Sequence, residues 1–304
     1  MKFIKFILIF VLLTGCGQKS SDETEIRSYV FNQLPGTEHL SLKNSQFFDW
    51  HGTQYLAATD MERGGTVILQ YSGIKWEEYM LVYPGEWMMW APNPVVIDNE
   101  LWFFVCDHDG EEVIDGDNWT DNMRVYAHTV DIDTATYGPL FEIDIDGEEV
   151  GVIDPYIVKI GDWYYLFHAR LDILNPDSYW DIYYSVSDNP LGPFKHGNRL
   201  DVNDRGIDEA FKLNPRSGFP FRCTWSSGDS GVDGTAFTGW VYIQQQLADG
   251  RFIFRVKETQ EYESVYGTLC TALDITRWPK VVATLRYNDY ENMRDRFYLG
   301  EYNH

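Results

Sequence analysis

One segment, Val152–Phe167 (VIDPYIVKIGDWYYLF), constrains the fold more than any other part of the chain. An Asp-Pro pair opens an alternating apolar run, a Gly-Asp break follows, and an aromatic run completes the segment. Alternation with a period of two residues predicts strands, and the short break predicts a hairpin between them. A carboxylate at the start of a buried strand has to be held by partners or used in chemistry, because an unpaired buried charge is costly.

The same pattern is found in two earlier segments. Asn44–Ala57 and Asn93–Cys106 can both be aligned with Asp154–Phe167 without gaps. In that alignment Pro94 falls on Pro155, and aromatic residues coincide in the second half of each segment. A hairpin unit that is repeated along a chain indicates a repeat architecture.

The spacing of the repeats predicts the fold class. A looser fourth copy starts near Glu209, and the stretch from about Tyr262 to His304 leaves room for a fifth. The copies start about 50 to 60 residues apart, and helical periodicity is absent from residue 40 onward. About four strands fit into each unit, so we predict an all-β, five-bladed β-propeller that forms a single domain over residues 36–304.

The N-terminus has the pattern of an export signal. Lys2 and Lys5 flank a short apolar run, Phe6–Leu13, which is too short to be a permanent membrane span. Leu-Leu-Thr-Gly-Cys resembles a bacterial lipoprotein signal, cleaved after residue 15, with fatty acyl chains such as palmitate on Cys16. Residues 16–35 would then be the lipidated cysteine and a polar tether. We expect attachment to the cell envelope, at the outer membrane or cell surface; the alternative is an ordinary secretory signal.

Composition limits the partners. Of the 304 residues, 16% are aromatic, including 11 Trp and 20 Tyr, which is typical of strand-rich proteins that bind sugars. The formal net charge of −23 argues against nucleic acid, whose binding requires a basic surface. We expect a carbohydrate partner, membrane contact through the lipid anchor, and a monomer.

Cysteines and acidic residues give no strong metal signal. Cys106, Cys223 and Cys270 form no CxxC pair, so we expect buried free thiols, although two of them can pair in an exported protein. The acidic segment Asp107–Asn122 does not have EF-hand spacing and is more typical of a solvated loop. We expect no cofactor and no metal ligand set; a structural calcium ion in the channel or acidic loop is the exception that the composition allows.

The residues that start the repeats form a candidate site. In a propeller the innermost strands line one channel, so Asn44, Asn93, Asp154 and Glu209 are expected to converge. Two carboxylates around one cavity suit glycoside cleavage, in which an acid protonates the leaving oxygen and a carboxylate activates water. The structural alternative is that these residues cap strand ends or bond to neighbouring backbone.

Three motifs resemble glycoside hydrolase family 43, the five-bladed propeller arabinanases, arabinofuranosidases and xylosidases. Trp90–Val96 (WAPNPVV) resembles the family's Trp-Ala-Pro-acid strand, and VIDPYIVKIGDWYYLFHA its third-blade Asp strand. Asp181–Phe194 (DIYYSVSDNPLGPF) resembles its Ser-x-Asp-x-Pro-x-Gly-Pro-Phe segment. The resemblance covers roughly residues 40–225.

The resemblance implies roles for individual residues. Glu209, in Asp-Glu-Ala-Phe, stands where the family has its general acid, and Asp154 where it has the acid that orients this group and tunes its pKa. Trp90 would form part of the wall that contacts sugar. His168 ends a predicted strand near the channel and is a candidate for substrate contact, as are Asn44 and Asn93.

The family's third role, a first-blade Asp that acts as base in an inverting mechanism, falls on Asn44. Three explanations stay open: the first-blade register is different, another carboxylate serves, or the protein binds glycans without cleaving them. Substitutes for the base are Asp49, Asp60 and Asp208. Our leading hypothesis is a glycosidase that cleaves O-glycosidic bonds in plant or algal polysaccharides by inversion; the competing one is an inactive glycan-binding lipoprotein.

Overall fold

The computed structural model describes much of the chain between Tyr29 and Tyr302. The described backbone covers residues 29–85, 87–108, 123–146, 151–170, 181–200, 209–214, 221–227, 235–263, 269–274, 280–286 and 295–302. Side chains are described in residues 34–42, 44–85, 87–108, 123–146, 151–169, 183–195, 197–200 and 247–251. Cys16 and Asp208 lie outside these ranges.

The described residues form twenty-one strands in five sheets and contain no helix. Within these ranges there is accordingly no helix of the length and apolarity needed to cross a membrane. The prediction of an all-β, five-bladed propeller is confirmed. Each sheet is one blade, and its strands follow one another from the inside of the propeller to the outside.

The strands have the following bounds. Blade 1 contains β2 (Leu42–Trp50), β3 (Thr53–Asp60), β4 (Thr66–Tyr71) and β5 (Trp76–Val82). Blade 2 contains β6 (Trp90–Ile97), β7 (Glu100–His108), β8 (Met123–Asp131), β9 (Thr136–Tyr137) and β10 (Phe141–Glu142). Blade 3 contains β11 (Val152–Ile160), β12 (Trp163–Arg170), β13 (Asp181–Ser187) and β14 (Lys195–Arg199). Blade 4 contains β15 (Glu209–Asn214), β16 (Phe221–Ser227), β17 (Thr235–Gln246) and β18 (Phe252–Glu263); blade 5 contains β19 (Leu269–Asp274), β20 (Lys280–Arg286), β21 (Asp295–Tyr302) and β1 (Tyr29–Gln33).

The first strand completes the last blade. β1 pairs antiparallel with β21, so that Tyr29 lies opposite Tyr302 and Gln33 opposite Tyr298. The pairing satisfies backbone groups of β21 that would otherwise form an open sheet edge. The strand that completes blade 5 thus lies within residues 16–35, the stretch for which we expect a polar tether.

The innermost strands form a closed ring. β2 contacts β6, β6 contacts β11, β11 contacts β15, β15 contacts β19, and β19 contacts β2. Apolar side chains fill the space between neighbouring blades. Between blades 2 and 3, Phe104, Leu166 and Phe194 are fully buried in one cluster, and each stabilises the fold by about 1.5–3 kcal/mol.

The Asp181–Phe194 motif contributes to this inter-blade packing. It contains β13 and a turn whose last residue, Phe194, exchanges two backbone hydrogen bonds with blade 2. The Phe194 N–H donates to the Asp144 carbonyl and the Phe194 carbonyl accepts from the Asp146 N–H, each at 2.8 Å. The motif therefore holds two blades together.

Each inner strand contains a β-bulge at the same point. The ladder to the second strand is interrupted for two residues, which tilts the strand and leaves the bulged residues outside the ladder. The interruptions lie between Lys43 and Gln46, Trp90 and Asn93, Ile153 and Tyr156, Glu209 and Lys212, and Leu269 and Ala272. The first bulged residue has a positive φ in blades 1 to 3, with values of 53° at Asn44, 50° at Ala91 and 53° at Asp154.

The bulges correct the ungapped alignment of blade 2. Asp154 is equivalent to Asn44, as expected, but its counterpart in blade 2 is Ala91, two residues before Asn93. The bulge proline of blade 2 is Pro92, not the Pro94 of our alignment. A shift by two residues leaves the inward and outward alternation of a strand unchanged, so the hydrophobic pattern could not reveal it.

Candidate functional site

Asp154 lies at the first position of the blade 3 bulge. Its side chain is 5% exposed, and its backbone has the positive φ that non-glycine residues seldom adopt. The next residue, Pro155, has no N–H, so Asp154 carries the one backbone donor of the bulge. That N–H donates to the sulfur of Cys106 in blade 2, at 3.4 Å.

Asn44 occupies the equivalent position in blade 1. Its side chain is 4% exposed, and its Oδ1 atom has no hydrogen-bond donor among the described residues. A buried amide oxygen without a donor is unfavourable, and such groups are concentrated at sites that serve function. Asn44 and Asp154 share one register, so the structure agrees with the ungapped alignment of blade 1 with blade 3.

Asn93 connects three blades. Its Oδ1 accepts from the Ile157 N–H of β11 at 2.9 Å, and its Nδ2 donates to Oε1 of Gln46 in β2 at 3.2 Å. Gln46 also hydrogen-bonds the Tyr156 side chain, whose pKa is raised by burial. Gln46, Asn93 and Tyr156 are equivalent positions of their strands, each following a bulge, and they form one buried polar network.

The placement of Asn93 differs from our expectation. At 2% exposure, with both ends of its amide bonded within the protein, it joins inner strands and does not start a repeat. This matches the structural alternative, in which repeat-start residues bond to neighbouring backbone. The motif Trp-Ala-Pro-Asn-Pro contains two prolines, and either of them can be aligned with the proline of Asp-Pro in blade 3. The second proline therefore concealed which residue of blade 2 is equivalent to Asp154.

Trp90 is the first residue of β6 and directly precedes the blade 2 bulge. It is partly buried and packs on an apolar cluster formed by Cys106, Met123, Ile153 and Ala169. Its carbonyl lies 3.6 Å from the Cys106 sulfur. The Trp90 ring therefore packs on a cluster that includes Ile153, the residue before Asp154.

His168 lies in β12, across the ladder from the Asp154 bulge. It is fully buried, its Nε2 is 3.1 Å from the Ser185 hydroxyl, and its ring stacks on Tyr183 with centroids 6.1 Å apart. A fully buried ring presents no surface to a sugar. This placement gives no support to the substrate contact that we expect for His168.

Glu209 is the first residue of β15. Its Cα pairs with Ser226, directly before the blade 4 bulge, and it is therefore equivalent to Trp90 and Ile153. β15 contacts β11, the strand that carries Asp154. The structure thus brings the backbones of the two expected catalytic residues to adjacent inner strands, while the side chain of Glu209 lies outside the described set.

Asp60, one substitute for the base, has a structural function. It is 1% exposed; Oδ1 accepts from the N–H groups of Glu62 and Arg63, and Oδ2 accepts from the Arg63 Nε at 2.8 Å. Arg63 also pairs with Glu78. The Asp60 carboxylate is therefore occupied in shaping the turn after β3 and is unsuited to accept a proton from water.

The structure says less about Asp49 and Asp208, the other two candidates to replace the base. Asp49 lies in β2 opposite Gln54, next to the His51–Gly52 turn at the end remote from the bulge. Asp208 lies outside the described residues. A substitute carboxylate for the base therefore stays a prediction.

One buried carboxylate was missed by the sequence analysis. Asp107, at the equivalent position to Asp60 in β7, is 4% exposed, and burial raises its pKa. Its Oδ2 accepts from the Met89 N–H at 2.8 Å and its Oδ1 from the His108 N–H at 2.7 Å. It fixes the chain just before Trp90. Asp60 and Asp107 lie at equivalent positions near the ends of β3 and β7. An alignment with the correct register of blade 2 would have shown this match in the sequence.

No group of three or more His, Cys, Asp or Glu side chains is placed to hold a metal ion within the described part of the chain. Residues 109–122 of the acidic segment lie outside that part. Cys106 is a buried free thiol, while the side chains of Cys223 and Cys270 are not described.

Comparisons with known proteins define the class. No family profile and no curated protein match the sequence. Among solved structures, an α-L-arabinofuranosidase from Lactobacillus brevis superimposes with a TM-score of 0.60 and 14% identity, covering 87% of this chain and 92% of that one. A family 117 glycoside hydrolase from the marine bacterium Zobellia galactanivorans gives 0.57 and 12%, covering 91% of both chains. An α-L-arabinanase from Cellvibrio cellulosa, complexed with arabinohexaose, gives 0.52 and 14%, covering 71% of this chain and 77% of that one.

These similarities show the fold. The chain is a five-bladed β-propeller of the type found in glycoside hydrolases. At such low identity the activity does not follow from the fold and has to be argued from the residues of the site.

Proposed function

We propose that this protein is a lipid-anchored glycoside hydrolase that cleaves O-glycosidic bonds in plant or algal polysaccharides or oligosaccharides by inversion. One observation carries the proposal: Asp154 lies in a bulge on β11, and Glu209 begins the adjacent inner strand, β15. A bulge that holds a buried aspartate at positive φ is typical of positions where a strand redirects a side chain for function.

The chemistry requires Glu209 to be protonated at working pH. A neighbouring carboxylate disfavours ionisation, so Asp154 would keep the pKa of Glu209 high enough for it to protonate the leaving oxygen. An inverting mechanism also needs a base on the opposite face of the sugar, about 6.5–9.5 Å from the acid, which leaves room for water. Asp49 and Asp208 are the remaining candidates for that base.

A second function is favoured by Asn44. An amide cannot accept a proton at working pH, so a site with Asn44 in place of the base would hold a glycan without cleaving it. In that case the protein captures carbohydrate at the cell surface.

Hydrolysis distinguishes the two functions. Purified protein is incubated with arabinan, xylan and galactan oligosaccharides, and the release of reducing ends is measured. The hydrolase proposal expects release by wild type and by the exposed control Glu100→Gln, and loss in Glu209→Gln. Full activity in Glu209→Gln contradicts the assignment of the acid. A wild type that releases nothing but is retarded by oligosaccharides in affinity gels supports the binding function.

Attachment to the membrane is tested separately. Acylation at Cys16 predicts that wild type fractionates with the envelope and that Cys16→Ser is released into the soluble fraction. Membrane association of Cys16→Ser contradicts the lipid anchor. Incorporation of radiolabelled palmitate into wild type, and none into the variant, is the expected direct result.

A further inference from the structure

Cys106 holds the backbone of Asp154. The blade 3 bulge removes Asp154 and Pro155 from the ladder to β12, and its one N–H, that of Asp154, donates to the Cys106 sulfur at 3.4 Å. The sulfur lies 3.6 Å from the Trp90 carbonyl, so the thiol accepts from blade 3 and donates within blade 2. We infer that Cys106 is a positioning residue that fixes Asp154 in its bulge, an inference that rests on the proposed role of Asp154 beside the general acid.

The side chains that share the buried cluster of Cys106 are mainly apolar. The thiol is fully buried in a cluster with Met123, Ile153, Ala169 and the Trp90 ring, which are apolar groups or, for the indole, a donor. The thiol also stays protonated, because burial and the charges of Asp154 and Asp107 raise the pKa of Cys106. Its S–H therefore remains available to the Trp90 carbonyl.

Blade 1 uses the same strand position in a similar way. Thr59 of β3 is equivalent to Cys106 of β7, since each lies opposite the residue that precedes its bulge. The Thr59 hydroxyl donates to the Met89 carbonyl at 2.9 Å, directly before the inner strand of blade 2. In blades 1 and 2, then, the side chain at this position of the second strand forms a hydrogen bond with the backbone of the next blade, close to the bulge of that next blade.

Amide hydrogen exchange tests the contact without reference to activity. In Cys106→Ala, or in Cys106→Val if alanine does not fold, we expect the Asp154 N–H to exchange about tenfold faster than in wild type. Cys106→Ser, which keeps an acceptor and a donor, should restore slow exchange. The Ile157 N–H on the same strand serves as an internal reference, and Val105→Ala as a matched buried variant. Unchanged exchange of Asp154 relative to Ile157 in both apolar variants overturns the inference.

The pH profile tests the consequence for catalysis. In Cys106→Ala, displacement of Asp154 should move the alkaline limb of the kcat/KM profile. Cys106→Ser should have the alkaline limb of wild type, and so should Val105→Ala. Faster Asp154 exchange with an unmoved profile overturns the catalytic part of the inference. If wild type releases no sugar, the proposed function fails, and the exchange experiment alone decides whether Cys106 fixes Asp154.

Discussion

Asn44 and Asp154 occupy the same position in two inner strands, each as the first residue of a bulge with a φ of 53°. The equivalence means that the backbone holds these two side chains at the same position of blades 1 and 3. The side chain at that point in blade 1 is nevertheless an amide. Asn44 thus carries an amide nitrogen where Asp154 carries a carboxylate oxygen.

Asn44→Asp should increase hydrolysis. A carboxylate at this position can accept a proton from water, and general base catalysis contributes about 10²–10⁴-fold. We expect kcat to rise by at least about tenfold, or hydrolysis to become measurable if wild type is silent. The same substitution should lower Tm, because it buries a charge at a position that is 4% exposed.

The matched control for this variant is Asn93→Asp. It also places a carboxylate at a buried asparagine of an inner strand, but at the polar network between blades. It should lower Tm without a gain in rate. A rate gain in Asn93→Asp, or none in Asn44→Asp, would show that Asn44 does not stand in the place of the base.

Asp154→Asn should shift the pH profile toward acid. In the proposed mechanism the negative charge of Asp154 would keep the pKa of Glu209 high, so its removal would let Glu209 ionise at lower pH. The alkaline limb of kcat/KM is expected to move down by about 1 pH unit, with kcat reduced. Asp162→Asn, in the exposed turn after β11, should leave the profile unchanged. An alkaline limb that moves upward would exclude this role for Asp154.

Asn93→Ala should destabilise the propeller. It leaves the buried Ile157 N–H without its acceptor and removes the donor to Gln46. We expect a loss of about 2–4 kcal/mol in the free energy of unfolding, measured by urea denaturation. Asn198→Ala, which removes an exposed amide that donates to the Tyr184 hydroxyl, should lose less than about 1 kcal/mol. Similar losses in both variants would count against the inter-blade role of Asn93.

His128 should make stability depend on pH. It is fully buried, its ring stacks on Phe103, and burial lowers its pKa to about 4 from 6.5. Folding therefore favours the neutral ring, and this contribution is complete above pH about 6.5 and is lost as the pH falls toward 4. Relative to His128→Phe, wild type should lose about 3 kcal/mol of unfolding free energy over that range.

The control for His128 is an exposed histidine. His39→Gln, which replaces an exposed histidine, should show the same pH dependence as wild type. Parallel stability curves of wild type and His128→Phe between pH 4 and 6.5 would contradict the buried, neutral state of His128.

Part of the site could be predicted from the sequence because it depends on short motifs. Asp-Pro in an alternating run singled out Asp154, which is the third residue of β11 and not its first, and the repeat placed Asn44 in the same register. The position of Asn93 could not be predicted correctly. Two prolines, Pro92 and Pro94, lie in the same phase of the alternation, and selection of the bulge proline requires the ladder to β7.

The sequence by itself determined the strands, the repeat and the number of blades, because alternation and turn residues are local properties that each hairpin carries. The tertiary structure decided which residues of different blades meet: Cys106 with Asp154, Asn93 with Gln46 and Ile157, and β1 with β21. The physical reason is that these contacts join residues far apart in the chain. Because side chains alternate with a period of two residues, a strand register can shift by two residues without a change in the hydrophobic pattern. The packing of the blades against one another selects one register.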